Sequence, residues 1–171
     1  MQKSQPEPWL RNTHTEISAV PRAVIHALEL AGEDLAKWCG ELTKEELHAS
    51  VHSLPSVAFQ IRHIAGSIDR LLTYAEGAQL TTAQLETLKS EAHTGSSPAQ
   101  LFEELSVSLT QSITRISSLA SNPDLLEQPR TVGREMLPTT VAGLLVHVAD
   151  HTQRHVGQAI TTAKMLRGLR S

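Results

Sequence analysis

The chain has 171 residues, of which 40% are hydrophobic and only 3% aromatic, and it carries a net charge of −3. That length suits one domain with its own core rather than two, and the aliphatic bias suits helix packing better than a sandwich of aromatic and β-branched strands. The mild acidity, with Arg and Lys scattered rather than striped, excludes the electrostatic footprint of a phosphate-backbone binder.

No apolar run reaches the roughly 18 residues of a membrane helix, and the first residues lack the roughly 7 to 15 apolar residues of a signal peptide. The single cysteine, Cys39, excludes an intrachain disulfide framework and agrees with a reducing compartment; inert packing is its expected role. A cytoplasmic protein is expected, acting on a small molecule and not on nucleic acid or membrane.

Residues 1–15 hold two prolines and Trp9 and read as an arm that either frays or docks Trp9 on the body, with a single domain from 16 to 171. Helix one is expected from Pro21 to Gly40, carried by Val24, Ile25, Leu28, Ala31, Leu35 and Trp38 at three- and four-residue steps. Thr43 and Glu46 form a capping-box pattern for a short turn. Helix two is expected from about Leu54 to Ala75, ending at Gly77, with Val57, Ile61, Ile64, Ile68, Leu71 and Leu72 as its apolar stripe. The polar stretch Ala78–Ser97 reads as a long connection holding a short helix capped at Thr81 or Thr82. Helix three begins at Pro98 and repeats Leu101, Leu105, Leu109, Ile113, Ile116 and Leu119 up to Asn122 and Pro123. A loop through Pro129 and Gly133 then leads to helix four, about Thr139 to Arg167. The class is all-α, a four-helix bundle, either a simple meander or an up-down-down-up bundle whose long crossover joins helices two and three.

In helix four, LLVHVADHTQRHVGQ sets His147, His151 and His155 four residues apart, so imidazoles line one side. With about 100° per residue, His155 falls inside the apolar stripe, His151 at its border and His147 on the outer flank. His151 and His155 are therefore the expected metal ligands, against the alternative of two hydrogen-bonded, partly buried histidines. His147 is a surface residue, a group behind the ligands, or the true partner of His151. A third ligand must come from elsewhere, and spacing leaves His26, His63, His14, His48, His52 and His93 all open.

The run SVAFQIRHIAGSIDRLLTYAEG, followed by GREMLPTTVAGLLVHVADHTQRHVGQAITTAKMLR, resembles the DinB and YfiT-like family of bacterial four-helix-bundle metalloenzymes, over roughly Pro21 to Arg167. The resemblance implies one ligand histidine from helix two and two, four apart, from helix four. His63 in IRHIA matches the first, and His151 and His155 in HTQRHVGQ match the others. It also implies the up-down-down-up crossover.

Three neutral imidazoles leave a divalent ion its charge and open positions, as catalytic zinc sites do. Such an ion activates water for hydrolysis or holds a thiol as thiolate. Asp150 lies off the His151 and His155 side by wheel angle, and no HExxH pattern exists, which disfavours a peptidase. Relatives in the resembled family include bacillithiol S-transferases and a mycothiol-dependent isomerase, which implies a low-molecular-weight thiol as co-substrate. The expectation is a metal-dependent thiol S-transferase or hydrolase with zinc or nickel bound by His63, His151 and His155. Gln60, Tyr74, Arg154, Gln158 and His147 are the candidate pocket neighbours, and no catalytic residue is assigned. The alternative is a non-catalytic helical metal-binding or stress-response module with a structural ion. Gly157 costs helix propensity, which either a close contact there, such as a homodimer interface, or a small residue tolerated by chance explains.

Overall fold

The computed structural model describes residues 5–169. It is mostly helical: α1 (Ala19–Cys39), α2 (Lys44–His48), α3 (Val57–Ala75), α4 (Thr82–Ser90), α5 (Pro98–Ala120) and α6 (Val141–Gly168), with one two-stranded sheet, β1 (Pro129–Val132) and β2 (Leu137–Thr140). No helix among the described residues is long and apolar enough to cross a membrane.

The helix starts are set by caps that satisfy their first free N–H groups. Thr43 with Glu46, Thr81 with Gln84, and Ser97 with Gln100 each form a reciprocal capping box, and Pro98 opens α5. The Ser56 hydroxyl accepts from the Phe59 amide, so α3 starts at Val57, three residues after the expected Leu54. Residues Val51 and Leu54 pair in a bridge instead.

The four long helices pack in pairs around one core: α6 lies against α3 and α1, and α5 lies against the same two. Ile25, Leu28, Leu35, Ile61, Ile64, Ile68, Leu72, Leu101, Ile116 and Leu145 are its large, fully buried side chains. All but Leu145 come from the stripe named for their helix in sequence, and burying one contributes about 1.5–3 kcal/mol relative to exposure.

The expected loop before helix four is instead a β-hairpin, with Pro129 opposite Thr140 and Val132 opposite Leu137. Four-residue strands are too short to show alternation, and Pro138 argues against a strand in sequence; here it sits in a two-stranded ribbon with an open edge. Positive φ at Gly133 (72°) and Met136 (51°) turns the chain between them. Its last residue, Thr140, is also the cap of α6, its hydroxyl accepting from the Gly143 amide, so the ribbon fixes where α6 begins.

The N-terminal segment lies on α1 through a short 3-10 turn, Pro8–Leu10, in which Pro8 is buried while Trp9 stays 61% exposed and donates its indole N–H to Glu7. Cys39 is fully buried, and burial pushes its thiol up to about 11, so it is a packing residue without thiolate character at neutral pH.

Candidate metal centre

On α3, Gln60 and His63 are three residues apart and share a face; on α6, His151, His155 and Gln158 do the same. Because α3 and α6 pack together, the two faces meet. Their rings converge: the centroids are 5.1 Å apart for His63 and His151, 4.4 Å for His63 and His155, and 4.5 Å for His151 and His155. One donor atom from each of the three lies within 4.8 Å of the other two, an arrangement geometrically able to hold a metal ion. All three rings are partly buried, His63 being 18% exposed, so the centre is neither dry core nor open surface.

What holds the rings is a set of hydrogen bonds on their far nitrogens. His63 presents Nδ1 to the Glu91 carboxylate at 2.7 Å. Burial would raise the Glu91 carboxyl, but the bonds from His63 and Arg70 outweigh it and hold it below the usual carboxylate range. A carboxylate only accepts, so His63 carries its proton on Nδ1 and turns the lone pair of Nε2 inward. His155 repeats the device: its Nδ1 lies 2.6 Å from Gln60 Oε1, while Gln60 Nε2 donates to Gln158 Oε1 at 3.0 Å. Gln60 Oε1 therefore accepts the hydrogen bond from His155 Nδ1–H, and His155 Nε2 is also a free lone pair. This is the orientation that far-side carbonyls and carboxylates impose on metal-ligating histidines.

His151 completes the set with Nε2 at 3.0 Å from His63 Nε2. Desolvation first, then the neighbouring His155, His63, His147 and Arg154 charges, lower its pKa to about 4. His155 is lowered as well, by desolvation and then by His63 and Arg154. His151 and His155 are thus neutral at pH 7, the form in which imidazole binds a cation. Zinc–nitrogen bonds of about 2.0–2.1 Å place two ligand nitrogens roughly 3.4 Å apart, between the 3.0 Å from His63 Nε2 to His151 Nε2 and the 4.8 Å that bounds the set. The donor set and its far-side bonds fit a borderline divalent ion.

Of the other expected neighbours, Gln60 is fully buried and Gln158 closes its amide chain. Arg154 is exposed, bonded to Asp150 at 2.6 Å, and contributes charge to the centre rather than contact. His147 is exposed, its ring 5.5 Å from that of His151. Tyr74 does not belong to the centre: it lies eleven residues beyond His63 on α3, roughly 16 Å along the axis, beside Gly77 and Arg130. Eleven residues return almost to the same wheel angle, so the wheel could not separate them. Among the alternative third ligands, His48 bonds the Ser96 carbonyl, His52 and His93 are exposed, and His14 and His26 lie together elsewhere. Among the described residues nothing lies within 4 Å of a Cβ built on Gly157, so no contact among them explains that glycine.

Three residues with no visible signal in the sequence complete the centre. Glu91 follows α4 and is 3% exposed, with its second oxygen on Arg70 at 2.8 Å. The neighbouring Asp69 and Arg70 therefore do not pair with each other, since Asp69 bonds Arg115. Gly66 makes room, because a Cβ there would stand 2.7 Å from Glu91 Oε1 and 2.8 Å from Arg70 Nη1. Phe59 stacks on the His63 ring, with centroids 5.5 Å apart and planes 11° from parallel. The crossover that delivers Glu91 is latched to α3 by Arg62, which donates to the His93 carbonyl and the Ser96 hydroxyl.

Three histidines on two of the long helices, with the His63 and His155 rings oriented by the buried Glu91 and Gln60 side chains, make a helical body geometrically able to hold a metal ion between helices. The chain belongs to the DinB superfamily, whose family model matches residues 27–159. The crystal structure of a conserved protein from Enterococcus faecalis is similar in fold, with a TM-score of 0.64 and 20% identity, over 88% of this chain and 99% of that one. Among curated proteins, none matches.

Proposed function

We propose that the protein is a metal-dependent enzyme acting on a small molecule, a thiol S-transferase first and a hydrolase second, with His63, His151 and His155 as ligands of one zinc or nickel ion. The observation that carries this reading is the far-side bonding of His63 by Glu91 and of His155 by Gln60, which aims two inward lone pairs at the face His151 shares. A divalent ion bound there supplies the charge that lowers the pKa of a water or thiol joining it. The chain's own residues orient His63 and His155 through their far nitrogens, keep His151 and His155 neutral, and leave all three rings partly exposed.

Two hollows reach Gln60 and Phe59, which touch the triad's rings, and are read as the substrate's place, although no triad histidine lines either. One, of about 380 Å³, is lined by Leu54, Pro55, Gln60, Gln158, Thr161 and Thr162; the other, of about 300 Å³, reaches Phe59, His48 and Ser56. Transfer is preferred over hydrolysis because Glu91 is committed to His63 and Arg70, and Asp150 to Arg154, so neither stands as a general base. We read the four long helices as the up-down-down-up bundle: Gln153 meets Ala27 and Lys164 meets Trp38, which runs α6 along α1; His151 meets His63 and Gln158 meets Gln60, which reverses α6 against α3; and Ser108 meets Ala65 and Arg115 meets Asp69, which runs α5 along α3.

The test is the ion content of untagged protein purified without a chelating column, read by plasma mass spectrometry beside His155→Ala. Wild type should exceed the variant by one equivalent per chain, and thiol and electrophile pairs should then turn over in wild type alone. Equal content in the two proteins would overturn the metal reading. An ion without turnover across the thiol screen would leave the structural-ion module.

A further inference from the structure

We propose a second divalent-cation site, separate from the triad, formed by His14, His26 and Glu29, which fastens the N-terminal segment to α1. One donor atom from each of these three lies within 4.8 Å of the others. Two imidazoles and one carboxylate are a donor set that zinc and its borderline neighbours accept, with positions left over for water.

The segment is shaped to deliver His14. Asn12 and His14 both adopt left-handed backbone, at φ 55° and 56°, a conformation uncommon outside glycine that Asn and His take more readily than most residues. Here it brings the His14 ring over α1, where Nε2 meets Glu29 Oε1 at 2.8 Å and the ring centroid is 5.7 Å from that of His26. His26 is 7% exposed and sits one helical turn from Glu29, so the two share a face of α1. Thr13 Oγ1 lies 3.0 Å from His26 Nε2, orienting that ring from the segment's side.

Nearby charge leaves the place open to a cation. Arg11, the segment's own guanidinium, is engaged by both oxygens of Glu33, at 2.5 and 2.7 Å, and by the Pro6 carbonyl. Glu29 is met by His14 instead. A divalent ion would join all three side chains where a hydrogen bond now joins two. Such an ion fastens residues 5–17 to α1 and lies outside the triad's donors.

The probe is Zn²⁺ added to the full chain after removal of bound metal, with equivalents read by equilibrium dialysis and undocking read by tryptic cleavage after Arg11. The double variant His63→Ala with His155→Ala should keep one equivalent. In that protein, zinc at a hundred times its dissociation constant should slow Arg11 cleavage about 100-fold, because binding suppresses the undocked population by that factor. Adding His14→Ala, or the nearly isosteric Glu29→Gln, should remove both the equivalent and the protection. A double variant that binds no zinc, or zinc that binds without protecting Arg11, overturns the proposal. Failure of the triad alone looks different: wild type then binds one equivalent, which His14→Ala removes and His155→Ala does not.

Discussion

The triad draws its donors from α3 and α6, two long helices packed on one core, and each of its outer rings is fixed through the far nitrogen by a side chain that is itself buried. The cluster at His14, His26 and Glu29 has similar chemistry, but one donor arrives on a loop held by an ion pair and left-handed backbone. Rigid helices with buried bonds behind the ligands pre-organise a centre; a loop docked on a single helix can close around an ion and open without it. Activity that needs fixed geometry belongs to the first kind of support. Fastening belongs to the second.

The sharpest way to break this contrast is at Glu91, since it supports the triad from a buried position and has no counterpart at the loop cluster. Glu91→Gln keeps the volume and removes the charge, leaving the buried Arg70 guanidinium without an opposite charge. Breaking a buried pair this way costs about 3–5 kcal/mol. Loss of the carboxylate behind His63 should weaken metal binding at the triad about 10–100-fold. Denaturant melts and zinc competition check the two effects; undiminished affinity would mean that Glu91 does not orient His63.

Gly66 reaches the same pair from the backbone side. Gly66→Ala places a methyl against Glu91 Oε1 and Arg70 Nη1, both of which are buried and cannot swing into solvent. Overpacking of this kind costs about 1–3 kcal/mol, against under 1 kcal/mol gained in helix propensity. Thermal melts should show net destabilisation, together with a weaker triad and unchanged zinc binding by the triad-free protein.

Much of this contrast was open to sequence reasoning, though unevenly. His151 and His155 follow from four-residue spacing, and the aliphatic stripes mark the four long helices, because both are periodic signals carried within one element. His63 could be chosen from nine histidines only by resemblance, since nothing local distinguishes a ring that meets another helix. Glu91 had no signal at all. It sits in a polar connection, and only the path of the crossover, latched by Arg62, carries it behind His63. The hairpin before α6 escaped for a related reason: its pairing is between two four-residue strands, one containing Pro138, and neither strand reads as β alone.

Acid should unfasten the triad through its histidines. His151, at about 4 when folded, and His155, also lowered, bind protons more readily in the unfolded chain, where histidine titrates near 6.5. As pH falls below about 6.5 the unfolded state takes up protons first, so metal-free stability declines across the window from 6.5 to 4. Glu91, held below its usual range, extends the decline as pH drops below about 4.5. The histidine part should amount to roughly 1–2 kcal/mol once partial exposure is allowed for. Urea melts from pH 7.5 to 4.5 on wild type and His151→Asn measure it; a variant with the same slope as wild type would remove His151 as the cause.

The smallest expected effect is at His147, the third member of the four-residue series, and it separates spacing from support. Its ring lies 5.5 Å from His151, close enough to add to the lowering of that group, yet it is half exposed and its Nδ1 stands 4.0 Å from Asp150. Nothing buried fixes it as Glu91 fixes His63 or Gln60 fixes His155. His147→Ala should therefore change stability by less than about 0.5 kcal/mol, as surface substitutions do, and leave the ion content of the triad unchanged. Loss of the ion in His147→Ala, read by the same mass spectrometry as His155→Ala, would show that four-residue spacing along α6 selects the ligands, rather than the buried polar groups behind the rings.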